Sequence, residues 1–397
     1  MSEVLQEHDG AGWITDVLWP GATLSSTSAR RGGAAADLVA VPHAAAPTQL
    51  LPARWTSLVA VANRPSDDRP RSKALRDAAG VGALLALSRV DRRRRVTVLG
   101  DSAASFIAHL RTEIDPRVRD AVILCGPARA NRKPVLQLHD ARGRTLAYVK
   151  VAWNDLTRVL LGRERAALDH LASGTVVGFQ VPRVLGSGRF GAADWLALGP
   201  VGVTHRSAPQ ERTTFEIARA VERTADEWRG PVADNPFVAR VVAAAATLRR
   251  SAGIVQALAR DGASDGLVLR ACHGDFVPWN TLTGSPAPAV WDWERYEHTA
   301  PIGYDRFHHL FQVALFRRGA GVSAAIDGID ARLGEVVPEL GVATARLHLE
   351  WYLADLLCRY EHDATPEPGT AASESTRGLM ARVDAMATVM EQRRSIG

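Results

Sequence analysis

Apolar positions along the chain fall into three regimes. Up to about residue 117, short apolar runs alternate with helical spacing. Asp37-Leu38-Val39-Ala40-Val41 and Ser57-Leu58-Val59-Ala60-Val61 read as strands, residues 72–88 as a helix ending in Leu84-Leu85-Ala86-Leu87, and residues 96–112 as a strand followed by a helix. From about 118 to 201 strands dominate. Ala121-Val122-Ile123-Leu124-Cys125 and Val135-Leu136-Gln137-Leu138 flank a polar loop, and residues 145–153 form a third strand after the turn Ala141-Arg142-Gly143-Arg144. A helix follows, with Asn154 or Asp155 as its N-cap, Gly174 just past its end, and Leu156, Leu160, Ala167, Leu168 and Leu171 as its apolar stripe. Two more strands are expected near 182–185 and 195–198. From about 202 to the end the spacing is mostly helical, over 215–228, 237–258, 348–360 and 378–394, interrupted by a strand-and-loop region at 268–293. Residues 364–375, rich in Pro, Ser, Thr, Glu and Gly, read as a mobile loop.

The pattern therefore predicts three sections: an α/β extension over 1–117 of unassigned role, a strand-rich lobe over 118–201 and a helical lobe over 202–397. A chain of 397 residues suits two or three domains, and 46% hydrophobic residues suffice for their cores. The strand-loop region in the helical section makes a cleft enzyme the natural expectation.

Charge changes this picture little. The formal net charge is +5. The one basic run, Arg92-Arg93-Arg94-Arg95, precedes a strand and reads as a solvated turn. No zinc-finger or RNA-binding signature accompanies it, so no nucleic-acid partner is expected. Three widely spaced cysteines, Cys125, Cys272 and Cys358, suggest neither a disulfide framework nor a zinc site and read as buried thiols. The polar, acidic residues 1–10 lack signal-peptide character, and the apolar stretch 81–87 falls far short of the ~20 residues of a membrane span. A cytoplasmic protein without a membrane partner is the expectation.

The chemistry concentrates in His273-Gly274-Asp275-Phe276-Val277-Pro278-Trp279-Asn280, followed by a strand and Trp291-Asp292-Trp293-Glu294. One loop thus carries an acid and an amide, and a second acid ends a strand twelve residues past that amide. Transfer of a γ-phosphoryl group needs these parts: a carboxylate to accept the proton of the attacking hydroxyl, and hard oxygens to hold Mg²⁺ on the phosphates. A second cluster is independent. Lys150 lies in the apolar strand Leu146-Ala147-Tyr148-Val149-Lys150-Val151-Ala152. Glu164, fourteen residues on, falls inside the apolar stripe of the next helix between Leu160 and Leu168. Pairing the two satisfies both charges.

His-Gly-Asp-x-x-x-x-Asn followed by a strand and Asp resembles the aminoglycoside phosphotransferase and choline kinase superfamily, relatives of the protein kinases. Trp291-Asp292-Trp293-Glu294-Arg295-Tyr296 with the later Gly303-Tyr304-Asp305 is most similar to the choline-kinase side. The resemblance covers roughly residues 118–360 and is strongest over 273–305. It implies an α+β, bilobal protein-kinase-like fold with a strand-rich N-lobe and a helical C-lobe, here with an extra α/β N-terminal section, and ATP and Mg²⁺ as cofactors. It further implies Asp275 as catalytic base, His273 as its supporting loop residue, Asn280 and Asp292 as magnesium ligands with Glu294 joining them, and Asp305 as a structural acid. Lys150 and Glu164 match the strand Lys and helix Glu that manage the nucleotide phosphates. A hinge at Leu198-Gly199-Pro200-Val201 would offer adenine the backbone of Leu198 and Val201.

The chain departs from protein kinases at Gly126-Pro127-Ala128-Arg129-Ala130-Asn131-Arg132-Lys133-Pro134, which contains no G-x-G-x-x-G. Arg129, Arg132 and Lys133 either supply phosphate-facing charge or decorate an ordinary hairpin tip. The resemblance implies a small hydroxylated acceptor, an amine, sugar, nucleoside, aminoglycoside or choline-like compound, without telling which; a peptide or protein side chain is a further alternative. The alternative class is a nucleotide-binding pseudokinase or scaffold. Glu297, Asp355, Glu361 and Asp363 are candidates for attracting a cationic acceptor, or else surface charge. Trp279 and Trp293 form an apolar wall beside the catalytic residues, or else pack in the core.

Overall fold

The computed structural model describes residues 12–25, 34–45, 47–62, 71–88, 91–126, 132–174, 177–202, 205–206, 210–262, 266–364 and 374–396. The acidic N-terminal residues 1–10, Arg129 and nearly all of the loop expected at 364–375 lie outside them. The chain divides into two compact units, one of residues 1–169 with 182–202, the other of 170–181 with 203–397.

Nine strands make one antiparallel sheet in the first unit: β1 (Thr23–Ser25), β2 (Ala34–Val41), β3 (Gln49–Pro52), β4 (Arg95–Leu99), β5 (Asp120–Leu124), β6 (Val135–His139), β7 (Thr145–Ala152), β8 (Val184–Phe190) and β9 (Ala193–Leu198). Their order is β1-β4-β2-β3-β5-β6-β7-β9-β8. β3 pairs directly with β5 through Gln49 with Leu124 and Leu50 with Ile123. The sequence boundary at 117/118 therefore falls inside a continuous sheet. Side chains alternate across it. Leu50, Ala121, Ile123, Leu136, Leu138, Ala147, Val149 and Val151 join one core with Trp13 and Leu18 of the helix Gly12–Leu18 and Phe106 and Leu110 of the helix Phe106–Glu113. Leu51 and Val122 face the other way, onto Ala60 and Val61 of the helix Thr56–Ala62 and Val81 of the helix Arg71–Leu87. The same alternation sends Gln137 and Lys150 to this second face; Gln137 donates to the Ala60 carbonyl at 2.7 Å.

Several local expectations change. The run 57–61 is a helix, not a strand. A short apolar run does not distinguish the two, and the place it would take in the sheet is closed by the β3–β5 pairing. The sequence reads Gly100-Asp101-Ser102 as a helix cap, but the cap of the helix Phe106–Glu113 is Ser105, whose side chain accepts from the Ala108 N–H, and Asp101 only closes a turn onto Ala103. The arginine run is not wholly solvated. Arg95 grips Asp37 with two hydrogen bonds of 3.1 and 2.8 Å, and Arg94 pairs with Asp91 at 3.0 Å.

In the second unit, Trp228–Pro231, Gly266–Cys272 and Glu297–Pro301 form a three-stranded antiparallel sheet among the helices Glu211–Glu222, Pro236–Ala245, Ser251–Asp261, Tyr304–Arg317, Val322–Asp330, Val342–Ala364 and Glu374–Ile396. Trp228, expected to end a helix, opens a strand. The single helix expected over 237–258 is two. Glu361, from the helix Val342–Ala364, accepts from the N–H groups of Arg250 and Ser251 and the Ser251 hydroxyl at 2.7–2.9 Å. It caps the second helix from outside the local sequence. All three cysteines are buried free thiols, and among the described residues no helix is long and apolar enough to cross a membrane.

Candidate active site

The strand Gly266–Cys272 delivers the chain into the loop 273–280. Gly274 sits there at φ 78°, and a Cβ would approach the Arg295 carbonyl oxygen to 2.2 Å, so only glycine fits. Asp305, first-turn residue of the helix Tyr304–Arg317, pins the loop by accepting from the N–H groups of His273 (2.7 Å) and Gly274 (3.0 Å). Fully buried His273 receives the Asp275 N–H on Nδ1 at 3.2 Å and gives its Nε2 proton to the Trp291 carbonyl at 3.0 Å. It supports the Asp275 backbone, not the Asp275 carboxylate.

That carboxylate is held from two sides. His308 Nε2 donates to Oδ1 at 3.0 Å and Asn280 Nδ2 to Oδ2 at 3.2 Å. Enclosure by protein works against the charge, but the His308 hydrogen bond and the neighbouring Arg359 outweigh it and hold the Asp275 carboxyl well below the usual range. Its side chain still keeps 34% of its exposure. Behind it, the Tyr352 hydroxyl donates to His308 Nδ1 at 3.2 Å, and Arg359 donates to the Gly274 carbonyl at 2.7 Å. Sequence reasoning missed His308, Tyr352 and Arg359. The available signal was a polar stripe: Tyr304, His308 and Gln312 recur every four residues on one helix face.

Asn280 leads into Thr281–Leu282, which pairs antiparallel with Ala289–Val290, and the Trp291 N–H returns to the Asn280 carbonyl at 3.1 Å. This hairpin brings Asp292 back toward Asn280. Asp292 adopts φ 73°, the only left-handed non-glycine among the described residues, a strain that favours a functional reading. One oxygen each of Asp292 and Glu294 lie within 4.8 Å. With the Asn280 amide nitrogen committed to Asp275, its carbonyl oxygen is the donor left for a cation. The set is all hard oxygen, which fits Mg²⁺.

In the first unit, Lys150 Nζ meets Glu164 Oε1 at 2.7 Å and Oε2 at 2.6 Å, and Glu164 is fully buried. The Asn154 side chain accepts from the Thr157 N–H at 2.8 Å and starts the helix Asp155–Ser173 that carries Glu164. Leu198 ends β9, and the Gly199 N–H bonds to the Arg183 carbonyl at 2.7 Å, with Val201 two residues beyond. Arg132 does not serve as loop charge. It is buried, donates to the carbonyls of Cys125 and Pro47, and lies over the Trp13 ring at 4.4 Å. Trp293 is core: it is fully buried, edge-on to His273 at 4.6 Å, and gives its Nε1 proton to Val290.

Burial gives this region an acid sensitivity. His273, His309 and His348 are each pushed down to about 4 by burial. Below pH 6.5 the unfolded chain protonates these rings while the folded chain does not, so their contribution to stability is lost as pH falls. Asp305 has the opposite sign, since burial pushes its carboxyl up to about 7 against two backbone donors. Between pH 6.5 and 4 these four groups together take up about two protons on unfolding, a contribution on the order of 3 kcal/mol per pH unit, and the lowered His308 acts in the same direction. A melting temperature that declines steadily over this window is expected, and a flat profile would contradict it.

No family model matches the chain, and no curated protein matches it. Solved structures do. A thermostable aminoglycoside phosphotransferase mutant in ternary complex with ADP and hygromycin B is 17% identical, covering 72% of this chain and 98% of its own, with a TM-score of 0.43. A putative fructosamine-3-kinase from Haemophilus somnus is 15% identical over 63% of this chain and 87% of its own, TM-score 0.36. An amicoumacin kinase with AMP-PNP and Ca²⁺ is 11% identical over 73% and 95%, TM-score 0.41. The chain is α+β, with a strand-rich and a helical unit.

Proposed function

We propose that the protein is an ATP-dependent phosphotransferase that moves the γ-phosphoryl group to a hydroxyl of a small molecule. The observation that carries this reading is the Asp275 carboxylate, anionic, partly open, and gripped by Asn280 on the hairpin that leads to Asp292. Asp275 takes the hydroxyl proton as the acceptor oxygen bonds to the γ-phosphorus. The bond from that phosphorus to the bridging oxygen breaks, and ADP leaves. Asn280, Asp292 and Glu294 would hold Mg²⁺, which supplies neutralisation of phosphate charge when bound. In the first unit, Lys150 oriented by Glu164 offers its ammonium to nucleotide phosphate, and the Leu198–Val201 backbone serves adenine.

The test is nucleotide binding and turnover as a function of Mg²⁺. With wild-type protein, Mg²⁺ tightens AMP-PNP binding in calorimetry. With Asp292→Ala this dependence disappears and turnover falls ~10²-fold or more, the scale set by loss of charge stabilisation at a transferring phosphoryl group. An Asp292→Ala protein with unchanged Mg²⁺ dependence places the metal elsewhere and defeats the assignment.

A further inference from the structure

The acceptor's charge can be read from what surrounds the base, taking the phosphotransferase reading as given. The acids that would recruit a cationic acceptor are spent inside the second unit. Asp355 is buried between Arg240 (3.0 Å) and the Tyr304 hydroxyl (2.5 Å). Glu361 caps the helix Ser251–Asp261. Asp363 pairs with Arg295 at 3.2 Å, both largely buried. Glu297 lies close enough to Arg240 to support its charge.

A different surface leads away from Asp275. Along one face of the helix Tyr304–Arg317, His308 touches the base, Gln312 donates to the Tyr360 hydroxyl at 2.6 Å, and Phe316 stands 55% exposed. Eight residues of helix put Phe316 ~12 Å along the axis from His308. The half-buried Trp279 ring, next to Asn280, meets Phe316 edge-on at 6.0 Å. From the helix Glu374–Ile396, the Arg382 guanidinium lies 4.8 Å over the Phe316 ring and 5.7 Å from the Tyr360 ring. Among the described residues no carboxylate pairs with Arg382. A planar guanidinium laid on aromatic rings keeps its donor fork for a carboxylate or phosphate.

We propose that Arg382, Phe316, Trp279 and Tyr360 form an acceptor subsite for an anionic group, carried on a flat apolar body at ~12 Å from the phosphorylated hydroxyl, the length of the two helical turns between His308 and Phe316. The protein is thereby a kinase for carboxylated or phosphorylated alcohols, and polyamine acceptors are disfavoured.

The probes are a matched biphenyl series with a hydroxymethyl group at one end and a carboxylate, an aminomethyl group or hydrogen at the other. Binding is measured on the full chain with AMP-PNP and Mg²⁺. The carboxylate is expected to bind about tenfold more tightly than the amine, the usual worth of one charge-assisted pair. Arg382→Glu reverses this ranking, Arg382→Lys keeps it in weaker form, and Phe316→Ala weakens all three compounds alike. If Arg382→Glu fails to fold, Arg382→Gln, which removes only the charge, abolishes the preference. An equal or amine-first ranking in the wild type, or no binding of any member, overturns the inference while AMP-PNP binding still stands. Absence of AMP-PNP binding without any acceptor overturns the phosphotransferase reading and the inference with it.

Discussion

Asp275→Asn lowers kcat by ~10²–10⁴-fold, the range for loss of a general base. The substitution preserves shape. The Asn carbonyl still accepts from His308, so the loop keeps the Asp305 and His273 contacts that set its backbone. What it removes is the one group there able to take a proton while anionic near neutrality. The loss therefore falls on kcat, and affinity for AMP-PNP with Mg²⁺ changes little, because proton transfer belongs to the transition state and not to ground-state binding. Steady-state kinetics beside calorimetry separates the two. Turnover near the wild-type value in Asp275→Asn would refute the assignment of the base.

Lys150→Ala destabilises the first unit by about 3–5 kcal/mol, because it leaves the fully buried Glu164 carboxylate without its ammonium. It also weakens nucleotide binding. Glu164→Gln is milder, since its amide oxygen still accepts from Lys150. The double variant Lys150→Met with Glu164→Leu recovers most of the lost stability, as two apolar side chains remove both buried charges, yet it recovers no activity because neither can face phosphate. A double-mutant cycle on melting temperature and turnover reads both effects. Additive stability losses with full activity in each single variant would show that the pair, although in contact, carries neither role.

Parts of this were legible in the residues. Period-two alternation put Lys150 opposite the apolar side chains of its strand, and period-3.6 spacing put Glu164 in an apolar stripe. Each position is costly without a partner. Local pattern left a snorkelling Glu and a lone Lys open as well, and the pairing followed only once the 273–292 motif was read beside it; the structure makes the contact. The 273–280 loop and the strand after it were equally local, a run of residue types at fixed spacing. The structure joins them through a hairpin of two-residue strands.

Sequence by itself determined which groups were available and which faces had to be buried, because helix and strand periodicities are properties of neighbours in the chain. Tertiary structure alone decided which distant groups met. His308 reaches Asp275 across thirty-three residues, Glu361 caps a helix more than a hundred residues earlier, and Arg132 turns inward to Trp13. The join between β3 and β5 likewise merges strands β1–β4 of the N-terminal section into the sheet that carries Lys150. Such contacts form because buried donors and charges must find partners wherever packing brings them, and packing follows the whole fold.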